Sequence, residues 1–115
     1  VDYVLIDGGH YDNQPSLDFH SVYPFLDNKC AVFFHDNNGN PSIECAIHEA
    51  EKLLKCSAQR FNTRYGLTVV ARGISHESLR ECHQLCLRNN VLHQIKFSCI
   101  KSFKWIAKKL FSINN

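Results

Sequence analysis

The chain has 115 residues, 44% of them hydrophobic and 21% charged, with a formal net charge of +2. That length suits one domain with a single core, and that composition excludes a disordered or collagen-like chain. No apolar run nears the roughly 20 residues that span a bilayer, which excludes a transmembrane helix.

Val1–Ile6 is a short, β-branched, nearly continuous apolar run. Such a run predicts a strand buried on both faces, as in a parallel sheet. It stops at "DGGH", residues 7–10. Pro15 suits the first turn of a helix, with Asn13 or Gln14 ahead of it as the cap. Leu17, Val22 and Phe25 or Leu26 supply an apolar stripe for a helix over residues 15–26. Ala31–Phe34 is a second buried strand, again stopping at polar residues, "HDNNGNP". Ser42 is the expected cap of a helix over residues 43–55, where Ile43, Ala46, Ile47, Ala50 and Leu54 recur at helical spacing. Gln59–Asn62 and Leu67–Ala71 read as strands joined by the "NTRYG" turn, pairing as a hairpin-like unit.

After Gly73 the pattern turns helical, with Ser75 or Ser78 as candidate caps. Leu92, Ile95, Cys99, Phe103, Ile106, Leu110 and Ile113 continue an apolar stripe, and Lys101, Lys104 and Lys108 share the other face. Charge follows the same division. Residues 1–81 hold all 11 acidic and 7 basic residues, whereas 82–115 hold 6 basic and no acidic ones. The expected organisation is therefore an α/β body over residues 1–73 and a basic helical extension over 74–115. The six cysteines sit inside apolar patterns and form no CxxC pair, so most are expected to be core residues in a reducing, cytoplasmic setting. The chain opens directly in a strand with no starting Met, so residues upstream, or a longer parent protein, are expected.

The two strand endings carry the chemistry. Parallel strands joined by right-handed crossovers end on one edge of the sheet, where open α/β folds bind ligands. Adjacent strands lie about 4.8 Å apart, which brings Asp7–His10 and His35–Asn38 into one crevice some 5–10 Å across. Gly8 and Gly9 let backbone and ligand approach closely. Asp7, Asp36 and Asn37, with Asn38 as a further candidate, offer oxygen donors that suit a hard divalent cation such as Mg²⁺. His10 and His35 are the candidate proton acceptors. Each residue also has a plainer role: Asp7 as a turn cap, Asp36–Asn37 as an Asx turn, the histidines as hydrogen-bonded loop residues.

"VDYVLIDGGHYDNQPSLDFHSVYPFLDNKCAVFFHDNN" resembles the second half of a class I S-adenosylmethionine-dependent methyltransferase, of the small-molecule and sugar group carrying "IDGGH" and a later "HD". The likeness spans residues 1–72, with "RFNTRYGLTVVAR" resembling the family's last two strands. It implies a partial Rossmann-like methyltransferase sheet made of the last four strands, the final one antiparallel. It implies methyl transfer from S-adenosylmethionine to a small-molecule or sugar acceptor, with Asp7, Gly8 and Gly9 at the cofactor. It also implies, for metal-using relatives, an ion on Asp7, Asp36 and Asn37; other relatives use an imidazole base without metal. The family's Gly-rich loop and ribose-holding acid would precede Val1, so the 115 residues alone are expected to be inactive.

Other readings compete. The basic helical stretch, residues 91–113, could lie on an anionic membrane surface with Phe103, Trp105 and Phe111 inserted, or pack on the body with its lysines in water. A non-catalytic remnant serving as an interaction or membrane-surface module is the alternative function. An unpaired edge strand invites homodimerisation. Nucleic-acid binding is disfavoured, because the basic residues form one stripe with no accompanying motif. Cys82, His83 and Cys86 lack a fourth zinc ligand, and no GxSxG elbow supports a serine hydrolase. Tyr65 could stack on substrate, although a surface turn aromatic is the plainer reading.

Overall fold

The computed structural model describes residues 1–9, 11–61, 65–88 and 99–112. His10, predicted as a base, and residues 91–98 of the predicted basic stretch lie outside the described residues. The elements are β1 (Tyr3–Ile6), α1 (Gln14–Val22), a 3₁₀ turn (Tyr23–Phe25), β2 (Cys30–His35) and α2 (Pro41–Leu54). They continue with β3 (Gln59–Phe61), β4 (Leu67–Arg72), α3 (His76–Arg88) and α4 (Cys99–Ser112). The fold is α/β, with a mixed four-stranded open sheet in the order β1-β2-β4-β3. β1 and β2 are parallel, as expected, with Ile6 opposite Phe34. β4 runs antiparallel to both β2 and β3, so the predicted hairpin-like unit forms with its later strand inserted next to β2.

β2 is the strand buried on both faces: Cys30 to Phe34 are all inaccessible to solvent. Its side chains alternate between two cores. Ala31 and Phe33 join Leu67, Val69 and Ala71 of β4 beneath α3 and α4. Cys30, Val32 and Phe34 join Val70, Phe19 of α1, and Ile43, Ile47 and Leu54 of α2. β1 departs from expectation. Val1 and Asp2 precede the strand, Tyr3 is exposed and Val4 and Leu5 are half-buried, because β1 is the edge of the described sheet. A strand paired on one side cannot have the cover that a central strand has.

Helix ends also shift for identifiable reasons. α1 stops at Val22 rather than 26, where Pro24 enters a 3₁₀ turn that cannot continue the α-helical ladder. α2 begins at Pro41, and its cap is Asn40, whose side chain accepts from the Ser42 and Ile43 backbone N–H groups at 3.0 and 3.4 Å. Ser42, the expected cap, is the second residue of the helix, two positions past Asn40. Ser75 does cap α3, its hydroxyl accepting from the Ser78 N–H at 3.1 Å.

Cys30 and Cys82 are core residues, whereas Cys45 is exposed and Cys56 half-buried; none of these four is in a disulfide. Burial pushes the Cys30 and Cys56 thiols up from their ordinary values. On α4, Ile106, Ala107 and Leu110 are buried against the sheet and Lys104, Lys108 and Lys109 face water. These three members of the apolar stripe pack inside the protein. Among the described residues no helix is long and apolar enough to cross a membrane.

Candidate functional site

The register places Asp7 and His35 next to each other, one step beyond the Ile6–Phe34 pair. Asp7 Oδ1 lies 2.7 Å from His35 Nδ1. Asp36 Oδ1 lies 3.1 Å from the same nitrogen. The His35 side chain is 12% exposed, against 36% and 37% for the two carboxylates, so the ring is held in the protein while the acids reach water. A neutral imidazole has one N–H; with Nδ1 donating to Asp7, Nε2 carries the lone pair. Both acids meet the ring at Nδ1.

Asp36 and Asn37 show why this turn holds its shape. Asp36 has φ +60°, a left-handed conformation that ordinary residues adopt at a cost of about 1–3 kcal/mol. That break in alternation puts the Asp36 carboxylate beside His35. Asn37 turns the other way: it is buried, and its amide donates to the Thr68 hydroxyl at 2.7 Å. Thr68 stands opposite Phe34, on the α1/α2 side of the sheet. Of the three predicted metal ligands, Asp7 and Asp36 come together and Asn37 points into the protein. His35, predicted as a base, takes the third place. The ligand atoms of Asp7, His35 and Asp36 all lie within 4.8 Å of one another. A donor set with an imidazole nitrogen suits Mn²⁺ or Zn²⁺ better than Mg²⁺.

The two glycines also permit close approach within the protein. A Cβ on Gly8 would stand 2.9 Å from the Asp18 carboxylate, and one on Gly9 would stand 2.9 Å from the Tyr11 ring. The close approach they permit is to α1 and to the turn before it. Asp18 is steadied there by Gln14, whose amide donates to it at 2.7 Å.

A salt bridge beneath Asn37 escaped sequence reasoning. Arg60 on β3 grips Glu44 of α2 with two parallel bonds, Nη1 to Oε1 at 3.0 Å and Nη2 to Oε2 at 2.8 Å. The same Nη1 reaches the Thr68 hydroxyl at 3.4 Å. The only trace in the sequence is a polar residue, Thr68, inside an otherwise apolar strand. The Arg60 bond, with a smaller contribution from the Asn37 amide, holds the Glu44 carboxyl below its ordinary range. An acid whose folded value is depressed binds fewer protons folded than unfolded, so its contribution is present above about pH 4.3 and is lost as pH falls through the folded value. Arg60→Gln is expected to flatten the acid limb of a melting-temperature profile below about pH 5, where glutamates titrate. An unchanged acid limb would remove this pair from the acid response.

Tyr65, in the β3–β4 connection, closes the site from the other side. Its ring centroid is 6.3 Å from that of His35, at 78° to it. His35, Asp36, Asn38 and Tyr65 line an open cleft of about 430 Å³. Comparison of the chain with protein-family models, with curated proteins and with solved structures gives no match.

Proposed function

We propose that the chain is the acceptor-side half of an S-adenosylmethionine-dependent methyltransferase domain, with His35 as the general base for an acceptor hydroxyl. The observation that carries this reading is the 2.7 Å bond between Asp7 and His35 at the ends of adjacent parallel strands. The strand order β1-β2-β4-β3, with β4 antiparallel, supports it as well, being the order expected from the resemblance. Asp7 fixes the tautomer and steadies the positive charge that develops on the ring, as an acid does for a catalytic imidazole. Asp36, at 3.1 Å, adds a second carboxylate to that stabilisation.

When bound, S-adenosylmethionine supplies an electrophilic methyl carbon. The residues present fit part of that cofactor: Asp7 has a second oxygen to accept from an amino or hydroxyl group, and the Tyr11 ring, 71% exposed beside Gly9, offers a stacking face. His35 Nε2 would take the acceptor's proton as its oxygen bonds to that carbon, whose bond to sulfur would break and release S-adenosylhomocysteine as a neutral thioether.

A second reading has its own support in the Asp7–His35–Asp36 donor set, which would hold a divalent ion that orients the acceptor oxygen and lowers its pKa. The two readings exclude each other at one atom, because Nδ1 cannot both donate to Asp7 and ligate a metal. Calorimetric titration of the full-length chain with S-adenosylmethionine tests the function. Saturable binding tighter than about 1 mM, the upper range of ordinary substrate affinities, is expected, and its absence rejects methyl transfer. Adding Zn²⁺ decides between the two: loss of the Nδ1 proton's NMR signal selects the metal reading, and its persistence selects the imidazole base.

A further inference from the structure

We propose that His20, Cys45 and Glu49 form a zinc site that ties α1 to α2, separate from the strand-end cluster and independent of methyl transfer. Cys45 and Glu49 stand at i and i+4 on α2, which places them on one face of the helix. His20 comes from the last turn of α1, and the two helices pack together through Phe19, Ile43 and Ile47. The Glu49 carboxylate links the other two groups. Its Oε2 lies 3.0 Å from His20 Nε2, and its Oε1 lies 3.9 Å from Cys45 Sγ. Tetrahedral zinc, with bonds of about 2.0–2.3 Å, sets neighbouring ligand atoms about 3.3–3.7 Å apart. The two observed separations bracket that range.

A plain surface contact is a poor account of this grouping. Cys45 is exposed, although free cysteine is among the most buried residue types. An exposed imidazole–carboxylate pair adds little stability. A thiolate, an imidazole and a carboxylate together make a donor set that suits zinc and not magnesium or calcium. Solvent reaches all three groups. His20 and Glu49 are 51% and 38% exposed, and Cys45 and Glu49 line an open cleft of about 510 Å³. Three protein ligands leave the fourth position to water. The ligand atoms are not gathered within 4.8 Å of one another, as those of Asp7, His35 and Asp36 are. The exposed Cys45 and Glu49 side chains have room to rotate, and they close on the ion as the Cys45 thiol gives up its proton.

Titration of the reduced protein with Co²⁺, a spectroscopic substitute for zinc, tests this. The wild type is expected to develop a thiolate-to-cobalt charge-transfer band that Zn²⁺ bleaches. Cys45→Ser should abolish the band. His20→Gln should weaken cobalt binding at least about tenfold, the lower range for loss of a group that supports a metal. Asp36→Asn, which alters the strand-end cluster, should leave the band in place. Zinc at about a hundredfold excess over its Kd should raise the wild-type melting temperature by roughly 10–20 °C, and most of that rise should vanish in Cys45→Ser. Cys45 and His20 are exposed, so both variants should fold, and melts without metal check that they do. No thiolate band in the wild type, a band that survives Cys45→Ser, or cobalt affinity unchanged in His20→Gln overturns the site. Loss of the band in Asp36→Asn also overturns it, because the ion would then sit at the strand ends.

Discussion

Gly66→Ala is expected to lower the melting temperature by roughly 8–40 °C, whereas Gly39→Ala lowers it by roughly 4–16 °C, taking about 4–8 °C per kcal/mol for a domain near this size. The two glycines have nearly the same backbone, φ +84° and +81°. Both alanines therefore incur the same left-handed penalty, about 1–2 kcal/mol. They differ in what surrounds them. Around Gly39 nothing lies within 4 Å of a new Cβ, while at Gly66 the Asn37 backbone stands 2.7 Å away and Asn38 Oδ1 2.8 Å away. Backbone atoms cannot rotate aside, so the β3–β4 turn must move, at a further cost of about 1–3 kcal/mol typical of overpacking. Thermal melts of both variants check this. Equal losses would mean that the turn is not seated on Asn37, and the edge-on placement of Tyr65 against His35 would fall with it.

Under the proposed function, His35→Gln in the full-length protein is expected to reduce methyl transfer by about 10²–10⁴-fold, the usual contribution of a general base. The glutamine amide can still bond Asp7, but it cannot take a proton. Because the ring is 12% exposed and hydrogen-bonded rather than part of either hydrophobic core, the melting temperature should change little. Affinity for S-adenosylmethionine should also survive, so the loss appears in kcat. Radiolabelled methyl transfer with a parallel melt measures both. A variant that keeps full activity removes His35 from the chemistry. Asn37→Ala is the informative contrast, since its amide bonds Thr68 inside the protein and its loss acts through the turn.

Much of this arrangement was legible in the sequence, and the missing parts share a cause. Apolar runs ending at Asp7 and His35 predicted two adjacent parallel strand ends, and the register bears that out. Periodicity located α2 to within about two residues, but not its cap. Asn40 and Ser42 are both good capping residues, and only the chain direction set by Pro41 decides between them. Burial of β1 was misjudged because an apolar run reports what a strand can bury, not how many neighbours it has. Asn37 was misplaced because strict alternation fails at Asp36. One left-handed residue sends the Asp36 carboxylate to His35 and the Asn37 amide to Thr68, and nothing in "HDNN" announces it. Arg60 and Glu44 meet only through tertiary structure.

The make-up of β2 has a consequence for how strand alignment is enforced. Where one face is polar, a slip of one position exposes apolar groups and is strongly opposed. Cys30 to Phe34 are apolar on both sides, with two phenylalanines side by side. Sliding this segment by one would exchange ring for ring, and hydrophobicity alone would barely object. What would object is the polar tip, since His35 would leave Asp7 and enter the layer beneath α2. Alignment of the central strand is thus guarded by the same polar tip that the chemistry needs, and an apolar residue at that position, unlike a glutamine that still bonds Asp7, would put at risk the order of the sheet itself.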